Sequence, residues 1–186
     1  TPFLPPIAGI ETAYTLRTVE DVDRIATAVP GKEKAVIIGG GFIGLEMAEN
    51  LRHQGLAVTL VEAGSQIMGP LDVEMEAIVA KHMRDNGVDI RTNAQATEIS
   101  ETGVTLQNGQ TLEADLVIAA IGVRPASELA QAAGLEVSDR GGIIVDAQQR
   151  TSDPHIFALG DAATKKDIHS GDNTLVPLAQ TANRHG

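Results

Sequence analysis

The stretch of sequence that decides the fold reads KAVIIGGGFIGLEMA and occupies residues 34–48. Its first five residues are an apolar run rich in β-branched side chains, which predicts a buried strand. After the glycines, the pattern from Phe42 to Gln54 predicts a helix that Gly55 ends. A strand, a glycine-rich turn and a helix in direct succession form the first half of a βαβ unit.

The neighbouring segments continue this alternation. Thr18, with Asp21 three residues later, is typical of a capped helix start. Leu56–Val61 is the next predicted strand, Asp72–Asn86 the next helix, and Val88–Ile90 starts a third strand. Strands that alternate with helices predict a parallel sheet with right-handed crossovers.

The pattern changes after the third strand, where short strands are separated by turns. Ala96–Ser100, Val104–Leu106 and Thr111–Leu112 are strand candidates, and Asn108-Gly109 is a strong hairpin signal. They predict a β-meander inserted before a fourth core strand, Leu116–Ile121. The fold class is therefore α/β, a Rossmann-like parallel sheet with flanking helices and an inserted β-meander.

The last third of the chain has weaker signals. Gly142–Val145 and residues 155–159 are predicted strands. A helix-like stretch follows Asp161, and residues 165–167 (KKD) are interpreted as a short solvated charge run.

Composition excludes several classes of protein. With 14 Lys and Arg against 25 Asp and Glu, the net charge is −11, and four aromatic residues are too few for base stacking, so we expect no nucleic-acid partner. The sequence has no cysteine, its histidines lack metal-ligand spacing, and we expect no metal site. No apolar run or signal pattern indicates a membrane or export, so we expect no membrane partner and a cytoplasmic location.

The glycines at residues 39, 41 and 44 give the spacing G-x-G-x-x-G. In a dinucleotide-binding βαβ unit, Gly39 makes the turn, Gly41 lets a pyrophosphate approach the backbone, and Gly44 lets helix and strand pack closely. The amides of Phe42 and Ile43 would then point at the phosphates.

Glu62 ends the second predicted strand, where an acidic side chain bonds a ribose 2′-hydroxyl. The alternative is a glycine-rich turn with an incidental surface glutamate. The fingerprint does not separate a nicotinamide dinucleotide from a flavin dinucleotide, because both use it.

A second constellation, TSDPHIFALGDAA, occupies residues 151–163. From the residues alone, Asp161 is either a helix N-cap after a turn at Gly160 or a ligand contact.

This segment resembles the flavin-binding return segment of the two-dinucleotide flavoprotein disulfide reductases. Residues 36–48 resemble the NAD(P) fingerprint of that family, and residues 119–125 the strand and turn that close its NAD(P) domain. Residues 176–184 are most similar to the coenzyme A-disulfide reductase and NADH oxidase branch. The chain thus resembles the NAD(P)-binding domain of an FAD-dependent pyridine nucleotide-disulfide oxidoreductase.

The resemblance assigns residues 11–150 to an NAD(P)-binding domain. It assigns residues 1–10 and 151–186 to the FAD domain of a longer parent protein, which we expect to be a homodimer. The parent's other FAD fingerprint, its redox cysteine and its dimerisation domain are absent from this sequence, so we expect the chain alone to be inactive.

The resemblance also implies roles for individual residues. The fingerprint glycines and Glu62 would hold the nicotinamide dinucleotide. Glu46, the catalytic candidate, would lie near the nicotinamide amide and the flavin edge; the alternative is a first-turn glutamate favoured by the helix dipole. Gly122 would leave room for the cofactor, or simply make a strand-end turn before Pro125.

On the flavin side, Gly160 and Asp161 would contact FAD, with the Asp161 carboxylate at its ribitol or phosphate end. Ala179 would lie beside the isoalloxazine ring.

The function implied is hydride transfer from NAD(P)H to flavin, and on to a disulfide, persulfide, peroxide or oxygen. Because Ala63, Gly64, Ser65 and Gln66 supply no cation after Glu62, we expect NADH to be preferred over NADPH. A stand-alone nucleotide-binding or sensing module without turnover is the alternative. A simple NAD-dependent dehydrogenase is disfavoured, since no candidate proton donor is paired near the site.

Overall fold

The computed structural model describes residues 5–186, and a four-stranded parallel sheet is the core of its first part. The chain divides into two compact units, residues up to Gly122 and Val123–Gly186. The strands of the first unit are β1 (Lys34–Ile38), β2 (Ala57–Val61), β3 (Val88–Arg91), β4 (Ala96–Ser100), β5 (Gly103–Leu106), β6 (Thr111–Glu113) and β7 (Leu116–Ala119). Its helices are α1 (Val19–Ala28), α2 (Phe42–His53) and α3 (Val73–Asp85), preceded by a 3₁₀ turn at Ile10–Thr12.

The sheet has the order β3-β2-β1-β7, so β1 is paired on both edges. Ala35 pairs with Val58 of β2 on one side and with Leu116 of β7 on the other. The last four residues of β1 and all four of β7 are buried. Burial on both faces explains why these strands are continuous apolar runs, as the sequence predicts.

Two hydrophobic clusters cover the two faces of the sheet. The larger contains residues of α2 and α3, among them Met47, Leu51 and Met83, packed on Ile37 and Leu60. On the opposite face, the antiparallel meander β4-β5-β6 packs on the other side chains of β1, β2 and β7. The Rossmann-like sheet, the flanking helices and the inserted meander are therefore confirmed.

The start of α1 is also confirmed. The Thr18 hydroxyl accepts from the Asp21 amide at 3.3 Å, and the Asp21 carboxylate accepts from the Thr18 amide at 3.0 Å. The bond from the Thr18 amide, with the Arg24 guanidinium, lowers the pKa of Asp21.

The second unit differs from the sequence prediction. It contains α4 (Glu128–Ala132), a 3₁₀ turn at Gly160–Ala162, a hairpin of β8 (Lys165–Lys166) and β9 (Asn173–Thr174), and α5 (Ala179–His185). The strands predicted at Gly142–Val145 and residues 155–159 are wrong. Within residues 5–186 each makes only isolated bridges, through Ile143 and Phe157, because no neighbour there pairs with two residues in succession.

Residues 165–167 begin the β8-β9 hairpin, in which Lys166 is exposed, as a solvated charge run predicts, while Lys165 is partly buried. The Asp167 carboxylate accepts from the amides of His169 and Ser170 in the connecting turn. These bonds lower the pKa of Asp167.

Within residues 5–186, none of the helices combines the length and apolar character needed to cross a membrane.

Candidate functional site

The glycine-rich loop joins the carboxyl end of β1 to the start of α2, and two of its fingerprint glycines are required by the fold. Gly39 has φ +114, and a Cβ there would lie 2.3 Å from the Ala120 carbonyl oxygen. A Cβ on Gly44 would lie 1.9 Å from the Gly39 carbonyl oxygen, and Ala48 on the same helix face is fully buried. Gly39 thus makes the turn and Gly44 allows close packing, as predicted.

Gly41 has no such structural requirement. It is the N-cap of α2 with φ −83 and ψ −171, a conformation open to any residue. A Cβ at this position would meet no atom within 4 Å. The space beside Gly41 belongs to an open cavity of about 440 Å³, and the packing of residues 5–186 does not call for glycine there.

The first turn of α2, directly after Gly41, presents free amides. The amides of Phe42 and Ile43 make no hydrogen bond within residues 5–186, as is normal for helix starts. No acidic side chain lies in this turn. The helix N-terminus therefore supplies N–H donors and the positive end of the helix dipole.

Glu62 follows β2 and links two loops. Its Oε2 accepts from the Gly40 amide at 2.7 Å, and its Oε1 accepts from the Gly64 amide at 2.7 Å. The carboxylate is half-buried and fixed, yet each oxygen keeps a lone pair for a further donor. It also lines the cavity that contains Gly41.

Glu62 lines a second cavity as well, of about 280 Å³. The side chains of Ile38, Val61 and Ile121 contribute to its mainly apolar wall, together with residues 94–97. The carboxylate thus stands between an open cavity lined by glycine and polar residues and a more apolar cavity.

Sequence reasoning missed several residues that line these cavities. The open cavity is also lined by Ser65, Gln66 and Gly69. The signal that could have identified them is that they follow Glu62 closely in the sequence. Residues 94–97 reach the apolar cavity because the Ala94 amide donates to the Glu62 carbonyl at 3.0 Å, a contact with no local sequence signal.

Glu46 is exposed on the outer side of α2. The interpretation of Glu46 as a first-turn residue is wrong: it is the fifth residue of the helix, and the first turn contains no acid. A favourable interaction with the helix N-terminus, which falls off within the first turn, therefore does not explain it.

Gly122 is exposed with φ +102, and a Cβ there would meet nothing within 4 Å. Its backbone favours glycine and the space beside it is open, so both interpretations made from the sequence agree with the geometry.

Gly160, Asp161 and Ala179 lie in the second unit. The interpretation of Asp161 as an N-cap is wrong, because the chain makes a 3₁₀ turn whose N-cap is Leu159 and then enters β8. The Asp161 carboxylate is exposed to solvent. Its oxygens can therefore accept from a ribitol hydroxyl of FAD. Ala179 is exposed as the first residue of α5.

One cation lies near this carboxylate. Lys165 is partly buried, and burial lowers its pKa, while the negative charge of Asp161 acts in the opposite direction. Its Nζ donates to the Val176 carbonyl at 3.3 Å. Elsewhere in the described part of the chain, no cluster of three or more His, Asp or Glu side chains is arranged to hold a metal ion.

Comparison with known proteins agrees with this architecture. The sequence profile of the pyridine nucleotide-disulphide oxidoreductases matches residues 1–186. The chain belongs to this family. Its Rossmann-like fold is that of an FAD/NAD-binding protein.

Individual members of the family are similar over the whole chain. An NADH oxidase of Methanocaldococcus jannaschii is 35% identical over 193 residues, covering 100% of this chain and 43% of that protein. The structure of reduced CoADR-RHD from Bacillus anthracis is 45% identical with a TM-score of 0.94, covering 100% of this chain and 34% of that one.

The water-forming NADH oxidase of Lactobacillus brevis, bound to NADH, is 30% identical with a TM-score of 0.89 and covers 100% of this chain and 42% of that one. An engineered form of that oxidase carries five substitutions and is a water-forming NADPH oxidase bound to NADPH. The chain therefore spans less than half the length of these oxidoreductases.

Proposed function

We propose that residues 11–150 bind a nicotinamide dinucleotide and present its hydride to a flavin. Residues 1–10 and 151–186 would belong to the FAD domain of the parent oxidoreductase, a homodimer. From the flavin, electrons would pass to a disulfide, persulfide, peroxide or oxygen. Family membership supports this reaction class, and the geometry of the glycine loop supports the binding site.

The observation that carries the proposal is the open space at Gly41. Gly39 and Gly44 are glycines because the protein's own atoms crowd them, whereas a Cβ at Gly41 would meet no atom of the described residues within 4 Å. A pyrophosphate lying against this backbone accounts for a glycine that the protein does not otherwise need.

The remaining parts of the nucleotide follow from this placement. The free amides of Phe42 and Ile43 would donate to the pyrophosphate oxygens, and the fixed carboxylate of Glu62 would accept from the adenosine ribose. The more apolar cavity beyond Glu62 suits the faces of the adenine ring.

At the other end of the nucleotide, Glu46 and Gly122 would border the nicotinamide. In the second unit, Gly160, Asp161 and Ala179 would contact the flavin. Bound flavin supplies the two-electron acceptor for the hydride, while this chain binds and orients the donor.

We also propose that NADH is preferred over NADPH. A 2′-phosphate about 4 Å from the Glu62 carboxylate would be repelled by about 4 kcal/mol per unit charge at an effective dielectric near 20. A third of that repulsion corresponds to about a tenfold preference. In the engineered NADPH oxidase, an acidic residue is replaced by alanine and the alanine that follows it is replaced by arginine. This chain likewise has an acidic residue followed by alanine, at Glu62 and Ala63.

Calorimetric titration with both nucleotides tests this preference. The unmodified protein should bind NADH more tightly, and Glu62→Arg should narrow or reverse the difference. Equal or tighter binding of NADPH by the unmodified protein would show that Glu62 does not have this role.

The site itself is tested by Gly41→Val. Because Gly41 has an ordinary φ and open surroundings, the variant should keep its unfolding midpoint. Forcing the added atoms against a pyrophosphate should weaken NADH binding about 5- to 150-fold, the equivalent of the 1–3 kcal/mol typical of overpacking.

Ala57→Val is the matched control. It creates the same side chain at the exposed start of β2, which is the end of the strand away from Glu62. This variant should change neither the unfolding midpoint nor the affinity for NADH. Unaltered NADH affinity in a folded Gly41→Val protein would mean that the glycine fingerprint is only a structural turn.

A further inference from the structure

The backbone of the 3₁₀ turn Gly160–Ala162 positions the exposed Asp161 carboxylate, and the nearby Lys165 ammonium attracts it. The carboxyl side of this turn is fixed by a neighbouring segment. The Ala162 carbonyl accepts from the Ile143 amide at 2.8 Å, and the Thr164 amide donates to the Ile143 carbonyl at 2.8 Å. What holds the amino side of the turn therefore decides how well the carboxylate is placed.

The amino side of the turn is held by α5. The Gly160 amide donates to Nδ1 of His185 at 3.4 Å, across 25 residues of sequence. A Cβ at Gly160 would come within 3.4 Å of the Ala182 Cβ, so the turn packs directly on this helix. Ala182 and His185 are three residues apart and lie on one helix face.

The contact with His185 has a defined chemistry. An imidazole nitrogen accepts a hydrogen bond only when it carries no proton, so Nδ1 serves as the acceptor in the tautomer with its proton on Nε2. Nδ1 is three bonds from Cα, the same number as the amide oxygen of an asparagine. Asparagine therefore keeps an acceptor at this place, whereas leucine fills the space without one.

We propose that His185 is the positioning residue of the Gly160–Asp161 turn: by accepting from the Gly160 amide, it holds the Asp161 carboxylate where the flavin needs it. The effect on flavin rests on the proposed function, while the effect on the turn does not.

The test uses the parent oxidoreductase with its complete FAD domain, in three forms: unmodified, His185→Leu and His185→Asn. Reconstitution of the apoprotein with FAD gives the flavin dissociation constant. Amide hydrogen exchange at Gly160, read by mass spectrometry with electron-transfer fragmentation, reports on the turn itself. Loss of one hydrogen bond of about 1 kcal/mol should weaken flavin binding and speed exchange at Gly160 about fivefold in His185→Leu.

His185→Asn should restore both quantities, and Arg184→Leu, an exposed neighbour on α5, should change neither. Unchanged values in His185→Leu would overturn the proposal. An asparagine variant no better than the leucine variant would also overturn it, because the acceptor would then be irrelevant. An unmodified protein that binds no flavin would refute the proposed function, and exchange at Gly160 would still decide the role of His185.

Discussion

Glu62 has a structural role that is measurable without any nucleotide. Its carboxylate accepts from two backbone amides at 2.7 Å, one on the buried Gly40 and one on the exposed Gly64. Hydrogen bonds to a charged group each contribute about 1.5–3 kcal/mol to stability. Removing this side chain should therefore release the glycine loop as well as the ribose acceptor.

Two substitutions separate the bonds. Glu62→Gln keeps one acceptor oxygen, which should stay on the buried Gly40 amide while the Gly64 amide turns to water. The free energy of unfolding should then fall by about 1.5–3 kcal/mol. Glu62→Ala removes both acceptors and should lower it by about 3–6 kcal/mol, a large part of the 5–15 kcal/mol that a typical domain has.

Urea unfolding followed by circular dichroism, in the absence of nucleotide, measures these differences. Glu46→Gln and Glu46→Ala are the matched controls, because the Glu46 carboxylate is exposed and accepts no hydrogen bond within residues 5–186. The controls should stay within about 0.5 kcal/mol of the unmodified protein. A Glu62→Ala protein as stable as its Glu46→Ala counterpart would refute the conclusion that the carboxylate holds the two loops.

Three further predictions concern stability. Gly44→Ala should lower the urea midpoint, with a cost of about 1–3 kcal/mol or more from the clash with the Gly39 carbonyl, and an unchanged midpoint would contradict the described packing. Thr164 is 1% exposed, and its hydroxyl has no hydrogen-bond partner within the described residues. Thr164→Val should therefore raise the melting temperature, whereas Thr164→Ser, which keeps the hydroxyl, should lower it. Hydrogen bonds from two backbone amides lower the pKa of Asp115, so its carboxylate stabilises the fold at neutral pH and this contribution is lost as pH falls through that lowered pKa. Asp115→Asn should therefore melt earlier than the unmodified protein at pH 7, with a gap that closes in acid; a gap independent of pH would contradict this cause.

The first unit was predictable because its signals are local. Strand β1 after its first residue and strand β7 throughout are runs of buried apolar residues, and glycines such as Gly55 and Gly87 mark helix ends by their positive φ. Composition and spacing record these features directly.

The second unit was less predictable because its pairings are not local. Ile143 has the β-branched side chain of a strand residue, yet it bridges Val137 and Ala163 only singly. Lys165 and Lys166 form a short charged segment, and the sequence does not show that they pair with Thr174 and Asn173. Strand formation depends on which segment lies alongside, and no short window of sequence contains that information.

The candidate site was predictable only in part. The positions of the fingerprint glycines follow from their spacing, but the sequence does not show that Gly41 alone among them is free of contacts. Nor does the sequence show that the Glu62 carboxylate accepts hydrogen bonds from two backbone amides. One of these amides belongs to Gly40, which precedes Glu62 by 22 residues.

The pairing of β1 with β7 has a consequence for synthesis of the chain. Ala35 of β1 pairs with Leu116 of β7, which lies 81 residues later in the chain. The ribosome must therefore add these 81 residues after Ala35 before β7 can pair with this edge of β1. At about 5–20 residues per second, a ribosome takes about 4–16 s over this interval. During that time an apolar strand has an unpaired edge, the kind of surface that recruits strands from other chains. Nascent chains stalled within the meander should therefore be the forms that chaperones bind and that aggregate on overexpression.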